Sequence, residues 1–489
     1  MPFPNVFKWA VPLLLVNEVA ATKLVPIRPH AGRQGRRQEP SGFDLKSDET
    51  FLWGSPDASN SALASLTVYT PGETENILAM ERFDDMVTSV SCGNTSIEMT
   101  FSDNAAFAYA QRVWDWVNGA DNHSFVMVVG PGDCGSNEYR IPFVISTLQY
   151  DEVANKATLG ASQSTWTAIS HTYDLTIGSA PPANTTTQES SLLPRHTDKG
   201  TSIDFNHDLA GSLSLAQGDL SASLTCLNCS TSGSFDVQFK ISQIFSLQQK
   251  AIMTLRPRSV SAIASMKLSG SVQVVDSLTK TFDLLSIPLV GLNIPGIFNL
   301  GPFLTISLGA QLVGISVTAG VTSGAKGSLN DDAVVEMNLL DPSENTFSGW
   351  EPNVELLETS VDGSISGETQ AFLQGSLELK ADALGKGFRI GLDLKLPAVK
   401  AKLSGMAATT EVCPGSNQIL GVKAETNVGA SLGIKAFRES DESDPFVNVA
   451  LAELDKPLTD PLCFPFGPQV AEVVRRNVGH PHVQHVRTV

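Results

Sequence analysis

The sequence predicts a mostly β protein of two domains: an N-terminal β-sandwich-like domain carrying one helix, then a larger antiparallel β-sandwich or elongated barrel. Three observations carry this. Apolar and polar residues alternate with period two over long runs of the second half. Charged residues make up only 17% of the chain, while its 39 glycines and many Ser and Thr residues favour turns and strands over helices. Gly, Asn, Asp and Pro punctuate the first half at short intervals, as they do between short strands.

Taken in order, the chain opens with a targeting pattern. Lys8 precedes the apolar run Trp9–Val16, and Val19-Ala20-Ala21 supplies small residues for cleavage after Ala21, so residues 1–21 read as a signal peptide. Residues 22–40 are basic and polar and read as a pro-segment or disordered leader, with Arg36-Arg37 as a dibasic processing site. Residues 41–180 form the first domain. Strands are expected over 63–69, 86–90, 97–101, 125–129, 139–148 and 157–159. A helix is expected over 105–117, capped by Asp103, with Phe107, Ala110, Val113, Trp114 and Val117 at helical spacing. Residues 181–200, from Pro181-Pro182 through Thr185-Thr186-Thr187, have no apolar period and read as a linker.

Residues 201–466 form the second domain. Leu209, Leu213 and Leu215 are expected to pair with Leu220, Ala222 and Leu224 around a turn at 217–219. The stretch from Leu284 to Ala325 holds no Asp, Glu, Lys or Arg. By length it can span a bilayer, but Pro288, Pro295 and Pro302 rule out a continuous helix. It reads as a kinked apolar cover running into a strand in which Leu304, Ile306, Leu308, Ala310 and Leu312 share one face. From Leu357 to Ala383 every odd position is apolar or small, and of the even ones only Phe372 is apolar. One strand of that length would run about 90 Å, so the chain must turn; a three-residue loop preserves parity and places a turn at 362–364. Parity flips after a four-residue turn at 384–387, to Phe388, Ile390, Leu392, Leu394 and Leu396. It stays even from Leu420 to Ala436. The domain has no Tyr and only Trp350, which lacks the aromatic girdles of an outer-membrane barrel. Residues 467–489 are a polar tail with no GPI signal.

Six cysteines in an exported chain suggest three disulfides. Sequence order and domain layout favour Cys92–Cys134, Cys226–Cys229 and Cys413–Cys463. Acceptor sequons for N-glycans occur at Asn94, Asn122, Asn184 and Asn228; a closed Cys226–Cys229 pair around Asn228 would hinder its modification.

The order of Val90-Ser91-Cys92, Ile97–Phe101 and the Ala106–Trp114 helix, then Cys226-Leu227-Asn228-Cys229, the Pro/Gly stretch Ile287–Gly301, Val412-Cys413-Pro414 and Leu462-Cys463-Phe464 resembles a group of secreted fungal proteins with two β-rich domains of unknown function. The resemblance covers most of residues 45–466. It implies a fungal extracellular or cell-surface setting and transfers no catalytic residue.

Charge and composition exclude several chemistries. The formal charge is −18; residues 1–37 carry six Lys/Arg and one acid, which leaves 27 basic against 50 acidic residues, or −23, beyond them. A surface so acidic repels phosphate backbones, so nucleic acid is not an expected partner. No histidine lies between His207 and His480, so beyond His207 at its start the second domain offers no His base, triad or ligand. His480, His482 and His485 fall in the polar tail, where no rigid metal site is expected. Cys226-x-x-Cys229 joins two strand-like runs and reads as a hairpin clasp, not as a redox motif at a helix start. Asp84, Asp85, Asp115 and Asp133 are the first-domain carboxylates weighed for glycoside hydrolysis, and no spacing singles out a pair. Trp114 and Trp116 lie two apart on the helix and cannot both face the core, so one of them is a candidate ligand contact.

The expectation is a secreted glycoprotein of the extracellular space or cell wall, non-catalytic, with a structural or binding role. No cofactor or metal is implied. Cell-wall glycan is the expected partner, or an apolar small molecule such as a lipid or sterol if the second domain is a hollow carrier. A glycan-active enzyme in the first domain is the third reading. The oligomeric state is not encoded in any pattern found.

Overall fold

The structure, a computed structural model, describes residues 21–27, 40–56, 62–178, 201–217, 220–273, 277–317, 320–362, 365–438, 444–457 and 461–469. It begins with the short strands β1 (Thr22–Lys23) and β2 (Val25–Ile27), then β3 (Asp48–Gly54) and β4 (Ala62–Tyr69). A smaller unit follows: β5 (Glu75–Ala79), β6 (Val87–Cys92), β7 (Ser96–Phe101), helix α1 (Asn104–Trp114), β8 (Ser124–Val129), β9 (Ile141–Asp151) and β10 (Lys156–Gln163). The short helix α2 (Trp166–Ile169) and β11 (Thr172–Ile177) lead out of it.

The larger unit opens with β12 (Thr201–Asp204), β13 (His207–Gln217), β14 (Leu220–Ile244) and β15 (Leu247–Gln273). It continues with β16 (Ser277–Pro288), β17 (Leu292–Ile294), β18 (Phe298–Val317), β19 (Gly320–Ser328), β20 (Val334–Asn338), β21 (Thr346–Ser348), β22 (Asn353–Leu356) and β23 (Ser360–Asp362). It ends with β24 (Ile365–Ala383), β25 (Lys386–Ala407), β26 (Gln418–Arg438), β27 (Val447–Pro457) and β28 (Leu462–Gln469).

The predicted class holds: the chain is mostly β, in two domains. The larger unit is a sandwich whose two layers face each other across one core. In the first layer β14 pairs with β15 along its length, while β13, β12 and β11 take successive parts of its other edge. In the second layer β16 and β17 flank β18, which is followed by β24, β25, β26 and then β27 with β28. Strand β15 joins the layers: it pairs with β19 in the first and, at Val272–Gln273, with β18 in the second. The sheets stay open, so the sandwich holds and the barrel does not.

The alternation read from the sequence is what buries the core. Leu304, Ile306, Leu308, Ala310 and Leu312 of β18 are buried, as are Phe388, Ile390, Leu392, Leu394 and Leu396 of β25 and Val422 to Ala436 on the even side of β26. The exception at Phe372 has a local cause. It lies on the wet face, opposite Gly309, where a Cβ would sit 2.2 Å from its ring, and the Lys395 ammonium covers it at 4.0 Å from the centroid. A glycine thus makes room for a ring that would otherwise be exposed.

Several local expectations are corrected. Residues 360–362 and 365–383 do not form a hairpin: β23 pairs with β19 in the first layer and β24 with β18 in the second, so the chain changes layers here. The turn after β24 has two residues, Leu384 and Gly385 (φ 50° and 80°), with Ala383 opposite Lys386. A two-residue loop of this kind swaps parity, which explains the flip. The apolar cover is itself strand: β16 runs to Pro288 and β17 returns through 295–297 into β18, burying Ile294, Ile297, Phe298 and Leu300. Within the leader, residues 22–27 are ordered, with Leu24 only 1% exposed. Strands β3, β4 and β11, placed by sequence in the first domain, continue the first layer of the sandwich. Residues 1–20, 28–39, the linker at 181–200 and most of the tail lie outside the described residues.

The smaller unit is a six-stranded sheet in the order β5-β8-β9-β10-β7-β6, with β5 and β8 parallel. Helix α1 starts where expected because Asp103 accepts hydrogen bonds from the amides of Ala105 and Ala106 at 2.9 and 2.8 Å. It packs Phe107, Ala110 and Trp114 on one face of the sheet, against Phe125, Met127 and Val129. The opposite face, with Ile77, Ala79, Val126 and Val128, belongs to the sandwich core beside Phe51, Trp53 and Trp166.

A buried ion pair closes this junction. Arg140, 2% exposed at its side chain, donates from Nε and Nη2 to the two carboxylate oxygens of Glu81 at 2.8 and 2.9 Å. Its remaining donors reach the carbonyl oxygens of Leu52 at 2.8 Å and Ile27 at 3.1 Å, and its guanidinium lies 4.8 Å from the Trp53 ring centroid. One side chain therefore ties the small sheet to β2 and β3. Arg140→Ala leaves the Glu81 carboxylate dry and unpaired, and is expected to cost about 3–5 kcal/mol in chemical denaturation; replacing both partners with Leu should recover much of that loss.

The Tyr173 hydroxyl is buried without a hydrogen-bond partner among the described residues. Burial, and secondarily the Asp382 charge, push its phenol up from 10.0 to about 12. A phenol raised in the folded state contributes its stability fully below the unfolded value and loses it as pH rises through the folded one. Alkaline unfolding between pH 10 and about 12 should therefore carry a Tyr173 phenolate signal at 295 nm, and Tyr173→Phe should move the midpoint upward.

Candidate functional site

A concave feature lies on the wet face of the second layer, and register builds it. Gln311 of β18, Gln370 of β24, Lys400 of β25 and Asn427 of β26 are directly opposite one another in sequence of strands. The next outward row is Val313, Glu368, Lys402 and Glu425. Strands lie about 4.8 Å apart, so each four-strand row spans about 14 Å, and residues two apart on a strand separate the rows by about 7 Å. Together they line a groove of about 340 Å³.

Its electrostatics are those of paired, solvated charges. Lys402 lies 3.8 Å from Glu368, Lys423 lies 2.7 Å from Glu425, and Lys400 pairs with Asp455, which also accepts from Asn427 at 3.2 Å. The Lys423 hydrogen bond holds the Glu425 carboxyl below its ordinary range, and the Lys400 hydrogen bond does the same for Asp455. Both stay ionised acceptors, so neither is poised to donate a proton. The groove therefore offers ammonium and amide donors beside carboxylate acceptors. A glycoside hydrolase needs one protonated carboxyl facing an ionised one, and neither Glu425 nor Asp455 supplies the protonated member.

The interior gives less room. A void between the layers, bounded by Leu224, Met266, Leu312, Val321, Ala371 and Val399, has a volume of about 30 Å³. That is room for one water, far short of a lipid chain.

The residues singled out by sequence are dispersed. Trp114 is fully buried and its indole donates to the Phe43 carbonyl at 2.9 Å. Trp116 is half-buried in the 3-10 turn after α1, with its ring stacked on His123 at 4.1 Å. The four carboxylates do not converge: Asp115 accepts from Asn118 at 2.9 Å, Asp133 accepts from the Gly130 amide at 2.9 Å, and Asp84 and Asp85 belong to the short turn before β6. No group of three His, Cys, Asp or Glu suited to a metal occurs among the described residues. No helix among them is long and apolar enough to cross a membrane.

The three cysteine pairs stand at disulfide distance, with Cα separations of 5.3 Å for Cys92–Cys134, 5.9 Å for Cys226–Cys229 and 5.8 Å for Cys413–Cys463. The second is not a hairpin clasp. Both its cysteines lie in β14, which runs unbroken past them, and the pair coincides with a bulge against both neighbours that turns Leu227 outward. Asn94, Asn122 and Asn228 are exposed, and Asn184 lies outside the described residues. The groove residues were missed because each reads singly as a wet-face position; only pairing register brings them together.

A family model described as "Domain of unknown function (DUF7223)" matches residues 202–465, and one described as "Domain of unknown function (DUF7029)" matches residues 70–174. No curated protein and no solved structure matches the chain.

Proposed function

The chain belongs to the DUF7223 family, a domain of unknown function, and we propose for it the role of an exported, non-catalytic scaffold that holds a hydroxyl-rich ligand, of the cell-wall glycan class, on the wet face of its second layer. The groove of two in-register rows is the observation that carries this reading. Neutral sugars offer hydroxyls that both donate and accept, and the rows present both complements within one strand spacing. Without an aromatic platform in the lining, affinity rests on hydrogen bonds alone and is expected to be modest per sugar. The apolar-carrier alternative gains no support from the void between the layers at Leu224, Met266 and Leu312, which has room for about one water.

Export is supported by the signal pattern that ends at Ala21, and cleavage there leaves intact the strand at Thr22, whose backbone nitrogen bonds the Gly291 carbonyl at 2.9 Å. The paired cysteines and exposed sequons agree with it. Amino-terminal sequencing of protein from the culture medium should begin at Thr22; a start at Met1 refutes export through this signal.

Titration calorimetry with soluble β-glucan and chitin oligomers tests the groove. Gln370→Ala with Asn427→Ala should weaken binding at least tenfold while leaving the unfolding midpoint unchanged, since both side chains lie on the wet face. Wild-type protein that binds none of these oligomers refutes the glycan reading. Turnover of any of them, lost on Glu368→Gln, refutes the non-catalytic one.

A further inference from the structure

We propose that the turn between β14 and β15 is a membrane-contact tip that inserts its apolar side chains into an anionic lipid surface. Ile244, Phe245 and Leu247 are 47%, 78% and 68% exposed, with the highest exposure at the apex. The row continues across the sheet: Ile244 stands opposite Leu247, and on its other side Thr172 stands opposite Tyr69, itself 39% exposed. With the polar Thr172 between Ile244 and Tyr69, the apolar surface at this end of the first layer is the hairpin tip itself, with a phenyl ring at its most projecting point.

The turn is held in an unusual backbone state. Phe245 and Ser246 have φ of 48° and 63°, the left-handed region that two-residue hairpin turns require and that Gly and Asn normally supply. A large apolar residue here carries strain and leaves an apolar surface in water, so neither folding nor solubility accounts for it. The turn is also braced. The Ser246 amide donates to the His171 carbonyl at 2.7 Å, the Phe245 amide to the Thr172 hydroxyl at 3.1 Å, and the Gln243 side chain to the Ser170 carbonyl at 3.1 Å. A braced convex tip presents its side chains without first having to be ordered.

Charge placement selects lipid as the occupant. Lys250 lies three residues past Leu247 and Lys240 four before Ile244, both exposed, which puts them about 10 and 13 Å behind the apolar residues at 3.3 Å per residue. An apolar face seated at the acyl boundary lies about 5–10 Å deep, so the ammonium groups on their flexible stems reach phosphate level. Of the nearby acids, Asp48 is opposite Tyr69, and Asp174, opposite Ser242 in the row of Lys250, accepts from the Ser242 and Tyr69 hydroxyls at 2.6 and 3.0 Å. The exposure of Phe245 and Leu247, with Lys240 and Lys250 behind them, makes the hairpin the leading edge. With a net charge of −18 the protein as a whole is repelled by anionic bilayers, so adsorption has to come from a local feature. The tip and the glycan groove lie on different layers, and either stands if the other fails.

Flotation of the full chain with phosphatidylcholine vesicles, and with vesicles containing one-fifth phosphatidylserine, tests this. The wild type should float with the anionic vesicles. Phe245→Gly should cut the bound fraction at least tenfold, and because Gly suits a positive φ, this loss is not a loss of fold. Lys240→Gln with Lys250→Gln should lower anionic binding to the level seen on neutral vesicles. Equal flotation of wild type and Phe245→Gly overturns the proposal, as does a wild type that floats with neither vesicle. Self-association of the wild type that Phe245→Gly abolishes, without flotation, also overturns it and assigns the tip to a second copy of the chain.

Discussion

Two-sided strands twenty or more residues long are the constraint on which this molecule depends. A strand of 25 or 27 residues, as in β14 and β15, exposes a long ladder of backbone groups and side chains to error in register. A slip of one residue carries every apolar side chain of the strand to the wet face, so strict alternation penalises slippage at many positions at once. The length also has to be accommodated against twist. Strand β14 does so with register shifts against β15 at Cys226–Asn228, Ser232–Ser234 and Ser242–Gln243, which divide one strand into shorter segments. The Cys226–Cys229 pair sits at the first of these, so the sequence motif marks where the strand bends.

The magnitudes separate what holds the fold from what decorates it. Ion pairs on the wet face, such as Lys402–Glu368 with both side chains about 60% exposed, are each worth ~0–1 kcal/mol and serve solvation more than stability. The Arg140–Glu81 pair lies in a different regime, because neither group can recover water if the other is lost. Its Coulomb gain is offset by desolvation, so its main consequence is geometric. A planar guanidinium with four acceptors and an indole face fixes the approach of the small sheet to β2 and β3. The two units thereby share a core.

Period and composition made the layers legible in the sequence, because burial acts on every second residue and leaves the same mark in any partner arrangement. Strand β18, the even run of β25 and β26, and the Asp103-capped helix were all readable for that reason. Connectivity was not. The residues at 362–364 carry the same parity whether the chain turns back or changes layers, and only the pairing of β23 with β19 decides it. Leu384-Gly385 was read as part of a longer loop because a positive φ at Leu is uncommon and sequence offers no reason to expect it. Strands β3, β5 and β11 were overlooked or misplaced, since short strands between turn residues carry little periodic signal. Arg140 gave none: a single Arg at the start of an expected strand looks solvated until its four acceptors converge.

The same reasoning locates function on the surface. Among the described residues of the larger unit the dry positions are taken up by the core, and the only histidine is His207 at the start of β13. What such a sheet can still do is repeat a chemical pattern at fixed spacing, because neighbouring strands bring like positions to within about 5 Å. In the second layer that repetition yields rows of amides and charges. At the end of the first layer stands an apolar hairpin tip with a strained Phe245. The groove exists in no one segment and is written across four strands, whereas the tip is one hairpin turn braced by the neighbouring segment at 170–172. A rigid sandwich is therefore not a passive support for its binding features, because strand register assembles the groove and the neighbouring segment braces the tip.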